Sequence, residues 1–298
     1  MPSGRLRKDR AAKRAMLALA IVPSVLVVLM ILGLWLRSRP ILDTVPLSDL
    51  LFSSSWHPLR GEFGFYPFIM GTLWVTGVAV AIAIPLCILT AIYLSEYAGR
   101  ALREWTKPLI DLLAGIPSVV FGMCGILIVV PFIKNHVAPA FGLFSTGYTV
   151  LAAGIVLAAM IAPVIVHVCL EVFRTVPREA REGALAVGAT KWQTVKHVVM
   201  RKAAPGVLAA SVLGLSRAFG ETMAVLMVAG NVARVPNSVL DPAYPLPALI
   251  ANNYGEMMSV PKYDAALLLS ALVLLVVVLA FNVVSRMVLV RIERGIAR

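Results

Sequence analysis

Six long apolar runs dominate the sequence, at about 15–36, 68–94, 109–133, 147–173, 204–230 and 263–290. A hydrocarbon layer ~30 Å thick takes roughly 20 helical residues to cross. Within it the backbone must satisfy its own hydrogen bonds, which leaves helices and closed barrels. Runs of this length predict an all-α polytopic membrane protein with six transmembrane helices. Composition agrees, with 60% hydrophobic residues, 14% charged and a mean hydropathy of +0.89. A soluble domain carries roughly a quarter charged residues. Pro23, Pro85, Pro117 and Pro163 fall inside the runs, where neighbouring helices can satisfy the backbone groups that a kink releases.

Basic residues give the orientation. Of 27 Lys and Arg, six precede the first run (Arg5, Arg7, Lys8, Arg10, Lys13 and Arg14). Three lie in the second connection (Arg100, Arg103 and Lys107). Seven lie in the fourth (Arg174, Arg178, Arg181, Lys191, Lys196, Arg201 and Lys202). Four lie at the end (Arg286, Arg291, Arg294 and Arg298). Cytoplasmic loops carry the excess of Lys and Arg, so both termini are expected in the cytoplasm. The domain division expected is 1–66 (N-terminus, first helix and outer loop), 67–290 (a five-helix core with a cytoplasmic loop at 174–203) and 291–298.

The net charge of +12 and pI of about 10.1 do not indicate nucleic-acid binding. The charge sits in short loops between apolar runs rather than on one solvated face. Cys87, Cys124 and Cys169 each stand inside an apolar run, which suits neither a disulfide framework nor a zinc site. His57, His136, His167 and His197 are scattered, and no metalloprotease or nucleophile-elbow motif occurs. His167 reads as a packed or hydrogen-bonded residue. The first run is longer than a signal-peptide core and no small-residue cleavage site follows it, so it reads as a retained anchor.

Two outward connections have character. Residues 38–67 hold Trp56, His57, Phe63, Phe65 and Tyr66, read as an anchor at the lipid headgroups. Residues 231–262 hold five prolines, with Tyr244, Tyr254 and Tyr263 in or beside them. A loop of that length is uncommon unless it binds something or is disordered, and an external partner would fit there.

The fourth connection reads VPREAREGALAVGATKWQTVKHVVMRKAAPG. Pro177 suits a first helical turn. Gly188 stands where a left-handed residue ends a helix. Thr190 and Gln193 have the spacing of a capping box for a second helix. Ala180, Ala184 and Val187 share one face of the first helix, a flat surface that another protein could approach. Gly183 to Thr190 mimics a phosphate loop, but Ala189 occupies the lysine position. The chain is therefore not expected to hydrolyse ATP.

The most chemical stretch is SRAFGETMAV, residues 216–225. Arg217 and Glu221 each cost about 2.5–3.5 kcal/mol or more at a bilayer centre, so such residues face a bundle interior or a cavity. At spacing i, i+4 they would share a helix face and neutralise one another, with Ser216 and Thr222 adding hydroxyls. A guanidinium offers a planar fork that matches oxyanion oxygens in pairs. Glu221 could accept a proton-bearing phosphate and repel a fully ionised sulfate. An interhelical ion pair that only fixes packing is the competing reading.

These residues carry a resemblance. Glu182, Gly183, Ala184 and Gly188 stand in the register of the EAA loop of type I ABC importer permeases. Gly183 replaces the usual Ala, and Arg201 stands where the pattern has Pro. RAFGET resembles the signature of the PstC and PstA permeases of bacterial phosphate importers. SSSWHPLRGEFGFYPFIMGTL (53–73), LLAGIPSVVFGMCG (112–125) and IANNYGEM (250–257) resemble the PstC type in particular. The resemblance implies a type I permease fold and a non-catalytic subunit. The implied partners are a PstA-type second permease, a PstB-type ATPase dimer and a PstS-type phosphate-binding protein. It implies phosphate passing Arg217, Glu221, Thr222 and Ser216. It also implies ATPase coupling through Glu182, Gly183, Ala184 and Gly188, with Arg178 and Arg181 beside them. The chain itself would bind no cofactor, ATP and Mg belonging to the ATPase. The alternatives are a PstA-type subunit, a permease for sulfate or molybdate, or a sensory protein that moves nothing.

Overall fold

The computed structural model describes residues 3–255 and 262–296. Glu256, Met257, Pro261 and Arg298 lie outside the described residues, as do the side chains of Arg5, Arg7, Lys8, Arg10 and Arg294. The elements in chain order are α1 (Ser3–Leu42), α2 (Leu47–Phe52), β1 (Trp56–His57), β2 (Glu62–Phe63), α3 (Tyr66–Tyr97), α4 (Arg100–Gly115) and α5 (Ser118–Ala140). Then follow α6 (Val150–Thr175), α7 (Arg178–Ala186), α8 (Lys191–Phe219), α9 (Met223–Val228), α10 (Leu246–Asn253) and α11 (Tyr263–Ile296). Six of these helices are long and apolar enough to cross a membrane: α1, α3, α5, α6, α8 and α11.

Two expected spans shift. The third, expected from residue 109, begins at Ser118. Residues 100–115 instead form α4, and the chain turns at Ile116 and Pro117, both extended. A residue before proline is sterically pushed out of the helical region, so Pro117 opens the third span rather than kinking it. The fifth, expected as one helix to residue 230, stops at Phe219 and resumes as the short α9.

Helix α6 is the centre of the bundle, packed between α3 and α8. Its N-terminus is capped by Thr149, whose hydroxyl accepts the Ala152 N–H at 3.1 Å. Small residues let the helices meet closely. A Cβ on Gly154 of α6 would stand 2.5 Å from Val78 of α3, and one on Gly214 of α8 would stand 2.5 Å from Ile165 of α6. Gly206 of α8 meets Val172 of α6 in the same way. Helix α1 lies outside this core and packs along α11.

A second core forms at the end of the bundle away from the basic loops. The β1–β2 hairpin pairs Trp56 with Phe63 and folds the loop back over α3. Trp56 meets Phe68, Phe63, Phe65 and Tyr263 at ring-centroid distances of 4.9, 5.7, 5.9 and 6.3 Å. Phe63, Phe65, Phe68 and Tyr263 are buried. These aromatics therefore build a small hydrophobic core rather than a headgroup anchor. The long outer loop joins it: the Leu246 N–H donates to Thr72 Oγ1 at 2.9 Å.

Candidate functional site

The last turn of α8 carries Ser216 and Arg217. The helix ends at Phe219, with the Gly220 N–H returning to the Arg217 carbonyl at 3.2 Å and the Glu221 N–H to that of Ala218 at 3.3 Å. The next helix begins two residues after Glu221. The Glu221 side chain caps it, Oε1 accepting the Ala224 N–H at 3.1 Å. A carboxylate there also meets the positive end of the helix dipole.

This geometry corrects the expected neutralising pair. The i, i+4 relation holds only inside one helix, and the chain leaves the helix between the two residues. Among the described residues no ion pair joins Arg217 to Glu221. Arg217 is exposed on the surface of the single chain, while Glu221 and Thr222 are half-buried. Thr222 Oγ1 donates to the Gly220 carbonyl at 3.3 Å, inside the break. Ser216 Oγ donates to Asn282 Oδ1 of α11 at 2.6 Å. Asn282 is a site residue that the sequence motifs above do not include. Its signal was there to be seen, as an amide inside the apolar run LAFNVV.

The basic loop folds as its punctuation predicts, with α7 beginning one residue after Pro177. At the other end Gly188 has φ +86°. Its N–H reaches the Leu185 carbonyl at 3.0 Å, and the Ala189 N–H reaches that of Ala184 at 3.1 Å, the paired bonds of a Schellman ending. The capping box is complete: Thr190 Oγ1 accepts from the Gln193 N–H, and Gln193 Oε1 accepts from the Thr190 N–H. Helix α8 then runs without interruption through Arg201 and Pro205 into the span.

The two faces of α7 differ. Ala180, Arg181 and Ala184 are half-buried toward the chain's own bundle, whereas Arg178, Glu182, Gly183 and Val187 are exposed, Val187 to 85%. The outward surface is thus the Glu182–Gly183–Val187 side, not the Ala180–Ala184 side. Arg181 bonds inward, to the Val176 and Phe173 carbonyls at 2.7 Å each and to Glu96 Oε1 at 3.0 Å. Glu96 belongs to the π-helical last turn of α3, Tyr93–Tyr97. Two further basic residues converge on that turn. Arg103 donates to the Leu94 and Ser95 carbonyls, and Lys191 Nζ lies 4.7 Å from the centre of the Tyr97 ring. His167 of α6 has Nδ1 3.7 Å from Asp111 Oδ1 of α4, with both side chains more than half exposed.

The site is thus an interrupted membrane helix with Arg217 beside its break and a capped basic loop tied to the bundle. Residues 83–298 match the family described as binding-protein-dependent transport system inner membrane component. The chain belongs to this family, and within it to the PstC-type permeases. It is 38% identical to the phosphate transport system permease protein PstC of Xylella fastidiosa (strain 9a5c), over 83% of this chain and 80% of that one. It is 34% identical to the protein of the same name from Mesorhizobium japonicum, over 98% and 96%. The probable ABC transporter permease protein YqgH of Bacillus subtilis is 39% identical over 80% and 76%. Among solved structures, a bacterial ABC transporter involved in alginate import matches with a TM-score of 0.61 at 19% identity, over 95% of this chain and 99% of that one. The inward-facing MetNI methionine transporter matches at 0.55 and 18%, over 84% and 99%. These two share the fold.

Proposed function

We propose that this chain is the permease half of an ATP-driven inorganic phosphate importer. The observation that carries the reading is Arg217. It is a cation in the last turn of a membrane-crossing helix, exposed from its own fold and beside a helix break, in a chain 38% identical to a phosphate permease. Such a cation in hydrocarbon needs a partner or a polar pathway. A second permease of PstA type would close that pathway around it. Phosphate would be held by the guanidinium fork, with Glu221 as the group that selects a protonated oxyanion. Oε1 of Glu221 caps α9, which leaves Oε2 for this task.

A PstS-type binding protein would deliver phosphate at the end bearing the aromatic core. A PstB-type ATPase dimer would seat α7 by its Glu182, Gly183 and Val187 side. The dense basic loops support placing α7 and both termini in the cytoplasm. Phosphate uptake in cells lacking their own importers tests the proposal, with the four-component system supplied. Uptake from micromolar phosphate that excess sulfate or molybdate does not inhibit is the expected result. Uptake abolished by sulfate or molybdate, or none at all, would overturn it.

A further inference from the structure

The hydroxyls on the long helices mostly bond to their own backbone. Ser38, Thr72, Thr90, Thr106, Ser211 and Ser270 each donate to a carbonyl three or four residues back. Ser216 does not. It donates at 2.6 Å to Asn282, 66 positions away on α11. One turn further along α8, Phe219 packs on Phe281 with ring centroids 4.7 Å apart. Two adjacent residues of α11 thus grip α8 at Ser216 and Phe219, on either side of Arg217.

The helix loses its own guidance at this point, because the hydrogen-bond ladder ends at Phe219. Side chains on a helix are set ~100° apart around the axis. Holding Ser216 and Phe219 against α11 therefore fixes the direction in which Arg217 leaves the bundle. We infer that Asn282 is a positioning residue for Arg217, acting through the Ser216 hydroxyl, and that α11 serves as the strut of the transport site. The role of Arg217 in transport rests on the function proposed above; the geometry does not.

The test separates the two. The assembled transporter carries Arg217→Cys together with Cys87→Ala, Cys124→Ala and Cys169→Ala. The rate of its modification by a charged methanethiosulfonate is compared with and without Asn282→Leu. Ser216→Ala provides a second variant that removes the same bond with the loss of one oxygen. A membrane hydrogen bond between helices corresponds to a factor of about threefold. A rate change of about threefold or more in both variants is the expected result, and a smaller change in either overturns the inference. In chains retaining Arg217, Asn282→Leu is expected to lower phosphate uptake while complex assembly persists. A parent transporter that moves no phosphate would sink the proposed function and leave the labelling result standing.

Discussion

Arg181 and Glu96 stand 85 positions apart in the chain and meet at 3.0 Å, their side chains only 20% and 11% exposed. The same guanidinium donates to the Phe173 carbonyl in the last turn of α6 and to the Val176 carbonyl just past its end. One side chain therefore joins α7 to two membrane helices. Removing one member of a pair this buried strands the other, at about 3 kcal/mol or more. Arg181→Ala is expected to lower the thermal midpoint of the purified complex. It should also raise ATP hydrolysed per phosphate imported, because α7 no longer moves with the bundle. A normal ratio of hydrolysis to uptake would show that the joint is not part of coupling.

Arg217→Lys keeps the charge and loses the planar fork. A hydrogen bond to a charged group contributes about 1.5–3 kcal/mol, so phosphate uptake is expected to fall by roughly 10–100-fold. The measurement is initial uptake rate at equal complex abundance.

Glu221→Gln separates two roles of one side chain. The amide oxygen can still accept the Ala224 N–H, so α9 and complex assembly are expected to persist, while the negative charge is lost. Discrimination of phosphate from sulfate should shrink, as read by competition of sulfate against labelled phosphate. Unchanged discrimination would leave Glu221 a helix cap alone.

Two glycines of the basic loop should respond oppositely. Gly183 lies inside α7 with open space where a Cβ would stand. Gly183→Ala is expected to stabilise the helix by about 0.5–1 kcal/mol. Gly188 has equally open space, but at φ +86° a side chain costs about 1–2 kcal/mol. Thermal unfolding of the two variants should shift in opposite directions.

Phe68→Ala tests the aromatic core. Phe68 is fully buried against Trp56 and Tyr244, and truncating such a ring costs about 3–5 kcal/mol. A loss of that size, measured by thermal unfolding of the complex, is expected. Little change would return the loop to the role of a headgroup anchor.

The folding of the basic loop was legible in the sequence because its signals are local. Thr190 with Gln193, and Gly188 after Ala184, act within one turn of chain, and the structure shows each bond. The break in the fifth span was hidden for the opposite reason. Residues 204–230 read as one apolar run apart from Arg217 and Glu221, and hydropathy does not register backbone direction. A pairing derived from continuous helical spacing therefore failed at Arg217 and Glu221. Helix α4 is not separable from the third span by hydropathy, because Leu109, Ile110, Leu112 and Leu113 prolong the apolar run up to Pro117. The aromatics near Trp56 give no sequence sign of their core, because pairing across a two-residue strand leaves no periodic trace.

The glycine seams of α6 and α8 bear on how such a subunit can change shape. With Val78, Ile165 and Val172 pressed directly against bare backbone, sliding α3, α6 and α8 past one another would drive methyl groups into main chain. Those three helices are keyed to travel as a single slab, so opening and closing would be concentrated at its margins, where this subunit meets another.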